Sequence, residues 1–127
     1  MNKLKIYKTK PFERFCCRNG IEDTVLIDAV SRAERGLVDA DLGGGVIKQR
    51  LPRKGQGKSG GYRIILIIKR EDKCFIVHGY PKSEKSNLGT KEEKAFKEMA
   101  SHLLGLSSHH IRKLVQNRDI IEVNENV

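Results

Sequence analysis

The spacing of apolar residues changes period several times along the chain, and each change marks an element. Leu4 and Ile6 alternate with Lys5 and Tyr7, which predicts a first strand over LKIYKT. Pro11 suits the first turn of a helix, and PFERFCCRNG predicts a short one ending at Asn19-Gly20. From Ile21 onward, Val25, Leu26, Ala29, Val30 and Ala33 follow i, i+3, i+4 spacing, so a second helix buries one face. Glu22 and Asp23 at its start and Arg32 and Arg35 at its end complement the helix dipole, and Gly36 stops it.

VDADLGGG reads as a turn-rich connector. Three strands are predicted after it: VIKQRL, YRIILIIKR and KCFIVHGY. YRIILII shows no polar alternation, so it belongs at the centre of a sheet with both faces covered. Glu71-Asp72 is short and polar enough to join the last two strands as an antiparallel hairpin. Thr90-Lys91-Glu92-Glu93 has the form of a capping box, opening a helix that buries Ala95, Phe96, Met99, Ala100, Leu103 and Leu104. Ser107 caps a last short helix with Ile111, Leu114 and Val115 on one face. DIIEV is compatible with a minor strand or with simple packing. The order β-α-α-β-β-β-α-α predicts an α+β fold: a small, mostly antiparallel sheet of about four strands with helices packed on one face. At 127 residues the chain is long enough for one domain, and it shows no repeat or linker.

Charge changes this picture. The net charge is +9 and the isoelectric point about 9.6. Basic and acidic residues nearly balance as far as Gly45, so the surplus lies beyond it. Val46 to Arg70 carries eight Lys or Arg residues and no Asp or Glu. That stretch is strand, Gly-rich loop and strand, so its charge is fixed on a sheet rather than carried on a solvated tail. Such a surface calls for a polyanion, and RNA fits best. The three cysteines, Cys16, Cys17 and Cys74, are odd in number and read as buried thiols in a reducing, cytoplasmic setting. No Cys/His cluster suggests zinc, so neither metal nor cofactor is expected. No apolar run is long enough for a signal peptide or a membrane span.

Candidate chemistry gathers on the predicted strands. Lys48 and Arg50 are two apart, so they share one face, while Ile47 and Leu51 point toward the helices. If the strands pair in sequence order, Arg63 and Lys82 converge with them, with no acid nearby. Arg53, Lys54 and Lys58 lie on the loop RKGQGKSGG, whose four glycines let it follow a phosphate chain. Gly57-Lys58-Ser59 is not a P-loop: Pro52 stands where the first glycine is needed, and a strand follows where a helix is required. His78 and Tyr80 share a face beside the cations; His78 titrates near neutrality, and Tyr80 offers a ring for a base. With three Tyr, four Phe and no Trp, a broad stacking platform for single-stranded RNA is not expected.

These residues resemble the RelE/HigB-type toxins of bacterial toxin–antitoxin pairs. The likeness lies in VIKQRLPRKGQGKSGGYRIILIIKR, in CFIVHGYPKSEKSNL and in the preceding ERGLVDADLGGGV. It covers roughly Lys5 to Leu104, leaving 107–127 as a helical extension of a single 1–127 domain. The resemblance implies a metal-independent endoribonuclease that cuts messenger RNA on the ribosome by 2′-OH attack on the adjacent phosphate. It implies a cognate antitoxin as partner. It also implies that Arg63 stabilises the phosphate, that Lys48 and Arg50 orient the RNA and help activate the 2′-OH, and that Lys82 supplies the acid or a phosphate contact. His78 is a further candidate base. Arg53, Lys54, Lys58, Tyr80 and Lys85 would contact RNA. Asn87-Leu88-Gly89 stands where some members place a stacking Tyr. Two other classes fit the same residues: a non-catalytic RNA- or ribosome-binding module, and a protein whose basic face holds an acidic partner.

Overall fold

A computed structural model describes residues 4–53, 57–83 and 88–123, and for residues 53 and 57–60 the backbone alone. The elements are β1 (Lys5–Thr9), α1 (Lys10–Asn19), α2 (Asp23–Glu34), β2 (Ala40–Gly43), β3 (Val46–Arg53), β4 (Gly57–Lys69), β5 (Lys73–Pro81), α3 (Thr90–Leu103), α4 (Ser108–Gln116) and β6 (Ile120–Val123). The strands form one six-stranded sheet in the order β2-β3-β4-β5-β1-β6. β1 pairs in parallel with β5, and the other neighbours are antiparallel. The class is α+β, as the pattern predicts.

β4 organises the sheet. Ile64 to Ile68 are buried in unbroken succession, alternating between the two faces. At about 2 kcal/mol per buried aliphatic side chain, these five contribute on the order of 10 kcal/mol, comparable to the net stability of a whole domain. Ile64, Leu66 and Ile68 pack with Phe12, Phe15, Leu26 and Val30 of α1 and α2. Ile65 and Ile67 pack with Ala100, Phe96 and Ile111 of α3 and α4. Helices therefore cover both faces, not one as expected, because the continuous apolar strand has two surfaces to bury.

Other expectations are corrected at the edges. The connector VDADLGGG contains strand β2, paired with β3, and Gly43, Gly44 and Gly45 take left-handed φ angles to turn between them. DIIEV resolves as β6, paired with β1, so the segment after Ser107 adds a strand to the sheet rather than a helical extension alone. The Gly-rich loop is shorter than predicted, since β4 begins at Gly57 and Gly57 pairs with Arg53. α3 is capped by Gly89, not Thr90, and Glu92 accepts the Gly89 backbone N–H at 3.1 Å. Ala95 and Met99 of α3 are exposed, which leaves Ala100, Phe96, Leu103 and Leu104 to pack. Cys17 is exposed, while Cys16 and Cys74 are buried thiols; none of the three is bridged. Among the described residues, no helix is long and apolar enough to cross a membrane.

Candidate active site

β3, β4 and β5 pair in sequence order, and their registers define two rungs on the α3 side of the sheet. Lys48, Ile65 and His78 form one; Arg50, Arg63 and Tyr80 form the next. With strands about 4.8 Å apart, each rung spans about 10 Å. Lys48, Arg50, Arg63, His78 and Tyr80 thus share one surface. Lys82 lies beyond the end of β5, exposed, its backbone N–H donating to Gly61 O at 3.1 Å. Lys54 and Lys85 lie outside the described residues, as do the side chains of Arg53 and Lys58.

His78 and Tyr80 reach this surface through an irregularity. The register with β4 shifts between Ile65 and Leu66: Leu66 faces Ile76, while Ile65 faces His78, so Val77 is an extra residue. Val77 packs on the α3 side, and His78 stays on that side, its ring 5.5 Å from Phe96 and 5.8 Å from Tyr80. Gly79 then faces α1, where a Cβ would come within 2.7 Å of Phe15 Cε2; only glycine lets the strand lie this close.

Arg63 is the least ordinary group of the row. Its side chain is only 8% exposed, yet Nη1 is buried with no hydrogen-bond partner among the described residues. It stands directly opposite Arg50. A buried guanidinium nitrogen without a hydrogen-bond partner is costly, and like charges in direct cross-strand pairs repel. An anion that enters here gains a ready-made fork of donors. Tyr80 is buried at 5% exposure, so its ring is not presented to solvent for a base.

The strand carrying Arg50 is held along its outer side by side chains. Asp39 Oδ2 accepts the Arg50 backbone N–H, and Arg32 Nη2 donates to Arg50 O at 3.1 Å. The fully buried Gln49 amide donates to Ala29 O and Leu37 O, both at 3.0 Å, and accepts Asp39 N–H at 3.1 Å. Asp39 brings an acid to the flank of the row, which the sequence reading left without one. Glu92 is another. It lines a cleft of about 650 Å³ with His78, Gly79, Tyr80, Pro81, Phe15, Arg18 and Asn19. The capping box read from the sequence runs from Thr90 to Glu93 and gave Glu92 no role; its spacing of four from Phe96 was the available signal, since the two share a helix face.

Elsewhere, buried Lys8 is paired. Its Nζ lies 2.7 Å from Glu13 Oε1 and 3.0 Å from Asp23 Oδ1. Burial pulls its pKa down, but the hydrogen bonds and charges of the two carboxylates outweigh that and leave it above the usual lysine value. Burial pushes the Cys16 thiol up to about 12, against the opposing pull of Lys8, so Cys16 is no nucleophile near neutral pH.

Comparison with known proteins bears on the chain as a whole. No curated protein matches the chain. A family model does, that of the RelE toxin of the RelE/RelB toxin–antitoxin system, over residues 4–123. The match spans the chain from the first strand to the last, and takes in α4 and β6. On that extent the chain belongs to the RelE toxin family, the toxin component of a toxin–antitoxin system.

Proposed function

We propose that the chain is a messenger-RNA endoribonuclease that acts on the translating ribosome and needs no metal for the cleavage step. The observation that carries this reading is the Arg50–Arg63 pair, with the buried Arg63 Nη1 lacking a partner among the described residues. Two fixed cations on one rung suit a phosphate whose negative charge increases during reaction.

In the proposed reaction the 2′-OH loses its proton as its oxygen bonds to the neighbouring phosphorus. The P–O5′ bond breaks, and O5′ takes up a proton. The products are a 2′,3′-cyclic phosphate and a 5′-OH. Arg63 holds the equatorial oxygens of the phosphorane. Arg50 and Lys48 fix the sugar–phosphate backbone across the two rungs. His78, on the Lys48 rung, is the group suited to carry the proton. Lys82 supplies a further phosphate contact at the end of β5. Arg53, Lys54, Lys58 and Lys85 are further candidates for RNA contact on the strength of the sequence alone. Tyr80, being buried, packs within the row beside Arg63 rather than stacking on a base. The family relationship supports a cognate antitoxin as the protein partner.

The test is induced expression followed by mapping of RNA 5′ ends on translating ribosomes. The wild-type chain is expected to arrest growth and to leave codon-phased cuts ending in 5′-OH. Lys48→Ala with Arg63→Ala is expected to lower cleavage at least about 100-fold, with the circular dichroism spectrum unchanged. Ribosome binding with intact message would make the chain a binding module instead. Full toxicity in the double variant would refute the site.

A further inference from the structure

The parallel pairing of β1 with β5 reaches only from Lys5–Lys73 to Lys8–Ile76. Beyond it, β5 from His78 to Pro81 pairs with β4 alone among the described residues. The cleft of about 650 Å³ opens at this uncovered edge. α1 supplies its floor through Phe15, Arg18 and Asn19, and α3 supplies its other wall through Glu92. Glu92 and Phe96 are four residues apart on α3, hence on one face, and the Phe96 ring lies 5.5 Å from that of His78. Glu92, one turn before Phe96 on that face, thus lines the same cleft as the imidazole.

From this juxtaposition we infer that Glu92 is a positioning residue for His78, its carboxylate holding the imidazole in orientation and favouring its protonated form. The described surroundings give such a carboxylate a charge to offset. Charged groups around His78 come from every element near it: Lys48 of β3 on its rung, Arg63 of β4 one rung on, Arg18 of α1 across the cleft, and Glu92 of α3. Three of these are cations and disfavour imidazolium, while Glu92 favours it. Tyr80 and Phe96 lie against the ring and add no charge. Under the endoribonuclease reading, on which the consequence for cleavage rests, neutral His78 takes the 2′-OH proton. As imidazolium it then returns a proton to O5′, so the proton count closes. Glu92 steadies the imidazolium between the two transfers.

Glu92→Gln is the informative variant. Glutamine still accepts the Gly89 N–H, so the start of α3 is kept while the charge is removed. Histidine ring NMR titrations are to be recorded on the full chain for wild type, Glu92→Gln and Glu92→Asp, with His78→Asn to assign the resonance. The pKa of His78 is expected to fall by about one unit in Glu92→Gln and to recover in part in Glu92→Asp. On ribosomes, the limb of the pH–rate profile that reports His78 is expected to move by the same amount. An unmoved His78 titration in Glu92→Gln overturns the inference, whether or not the chain cleaves RNA. A shifted titration in a chain that cleaves nothing at any pH upholds the pair and refutes the endoribonuclease reading instead.

Discussion

Two buried cations sit on the same sheet in opposite circumstances. Lys8 of β1 is 4% exposed and Arg63 of β4 is 8% exposed, so burial alone does not distinguish them. Their partners do. Lys8 ties strand to helices through Glu13 of α1 and Asp23 at the start of α2. Arg63 faces Arg50 and keeps Nη1 without a partner among the described residues. A buried charge that is fully engaged within the fold is part of its scaffold. One held rigidly with unused donors is suited to something that arrives from outside. The same contrast separates the two ends of the α3-side surface. Where α3 and α4 cover it, the strands present Val46, Ile65, Ile67 and Phe75; toward Arg63 the same surface turns cationic.

Mirror substitutions give the sharpest way to break this comparison. Lys8→Met strands Glu13 and Asp23, and since both carboxylates can partly rehydrate, the expected loss is about 2–3 kcal/mol, read by urea unfolding. Arg63→Met removes a poorly satisfied charge, so stability is expected to hold within about 1 kcal/mol or to rise, while cleavage is lost. If Arg63→Met were the more destabilising of the two, Arg63 would be a scaffold residue and the contrast would collapse.

Alkaline pH probes the scaffold side of the comparison through two groups with raised folded-state pKa values. Lys8 is raised above 10.5, and Cys16 is raised from 9.0 to about 12. In both, the folded state keeps its proton where the unfolded chain has released it, so stability falls as pH rises. Loss through Cys16 begins near pH 9 and that through Lys8 above 10.5. Unfolding midpoints are therefore expected to be level below pH 8 and to fall steadily above 9. Stability that increases over that range would contradict the packing around Lys8 and Cys16. The gentlest probe is thiol labelling of the native chain. Exposed Cys17 is expected to react rapidly and alone, with Cys16 and Cys74 joining only on unfolding.

Much of this was legible in the sequence. Pro11 and Gly20 bracket α1, helical spacing marks α2, and the unbroken YRIILII run fixes β4 at the centre of the sheet. The parity of Lys48 and Arg50 places both on one side. What was not legible depended on partners distant in sequence. Nothing local in LKIYKT says that β1 will lie parallel to β5, or that Lys8 will meet carboxylates from two helices. VDADLGGG has turn composition, and becomes strand only because β3 offers it an edge. At the site, the clamp of Asp39, Arg32 and Gln49 on β3 joins residues 10 to 20 apart with no periodic signature. The place of Glu92 in the cleft was likewise hidden, because only the fold brings the start of α3 to the end of β5.

The extra residue at Val77 has a consequence for how this surface can change. The pleat works like a reading frame of two, and Val77 is an insertion that resets its phase. Ahead of it, odd-numbered positions of β5, such as Phe75, face α3; after it, the even-numbered His78 and Tyr80 do, and Gly79 turns to the phenyl rings of α1. Loss of Val77 alone would set Ile76 and His78 side by side against Leu66 and Ile65, erasing the insertion while imidazole and phenol stay on the α3 side and the glycine stays against the phenyl rings. The segment would keep its chemistry and lose only the local bend and twist that the insertion adds.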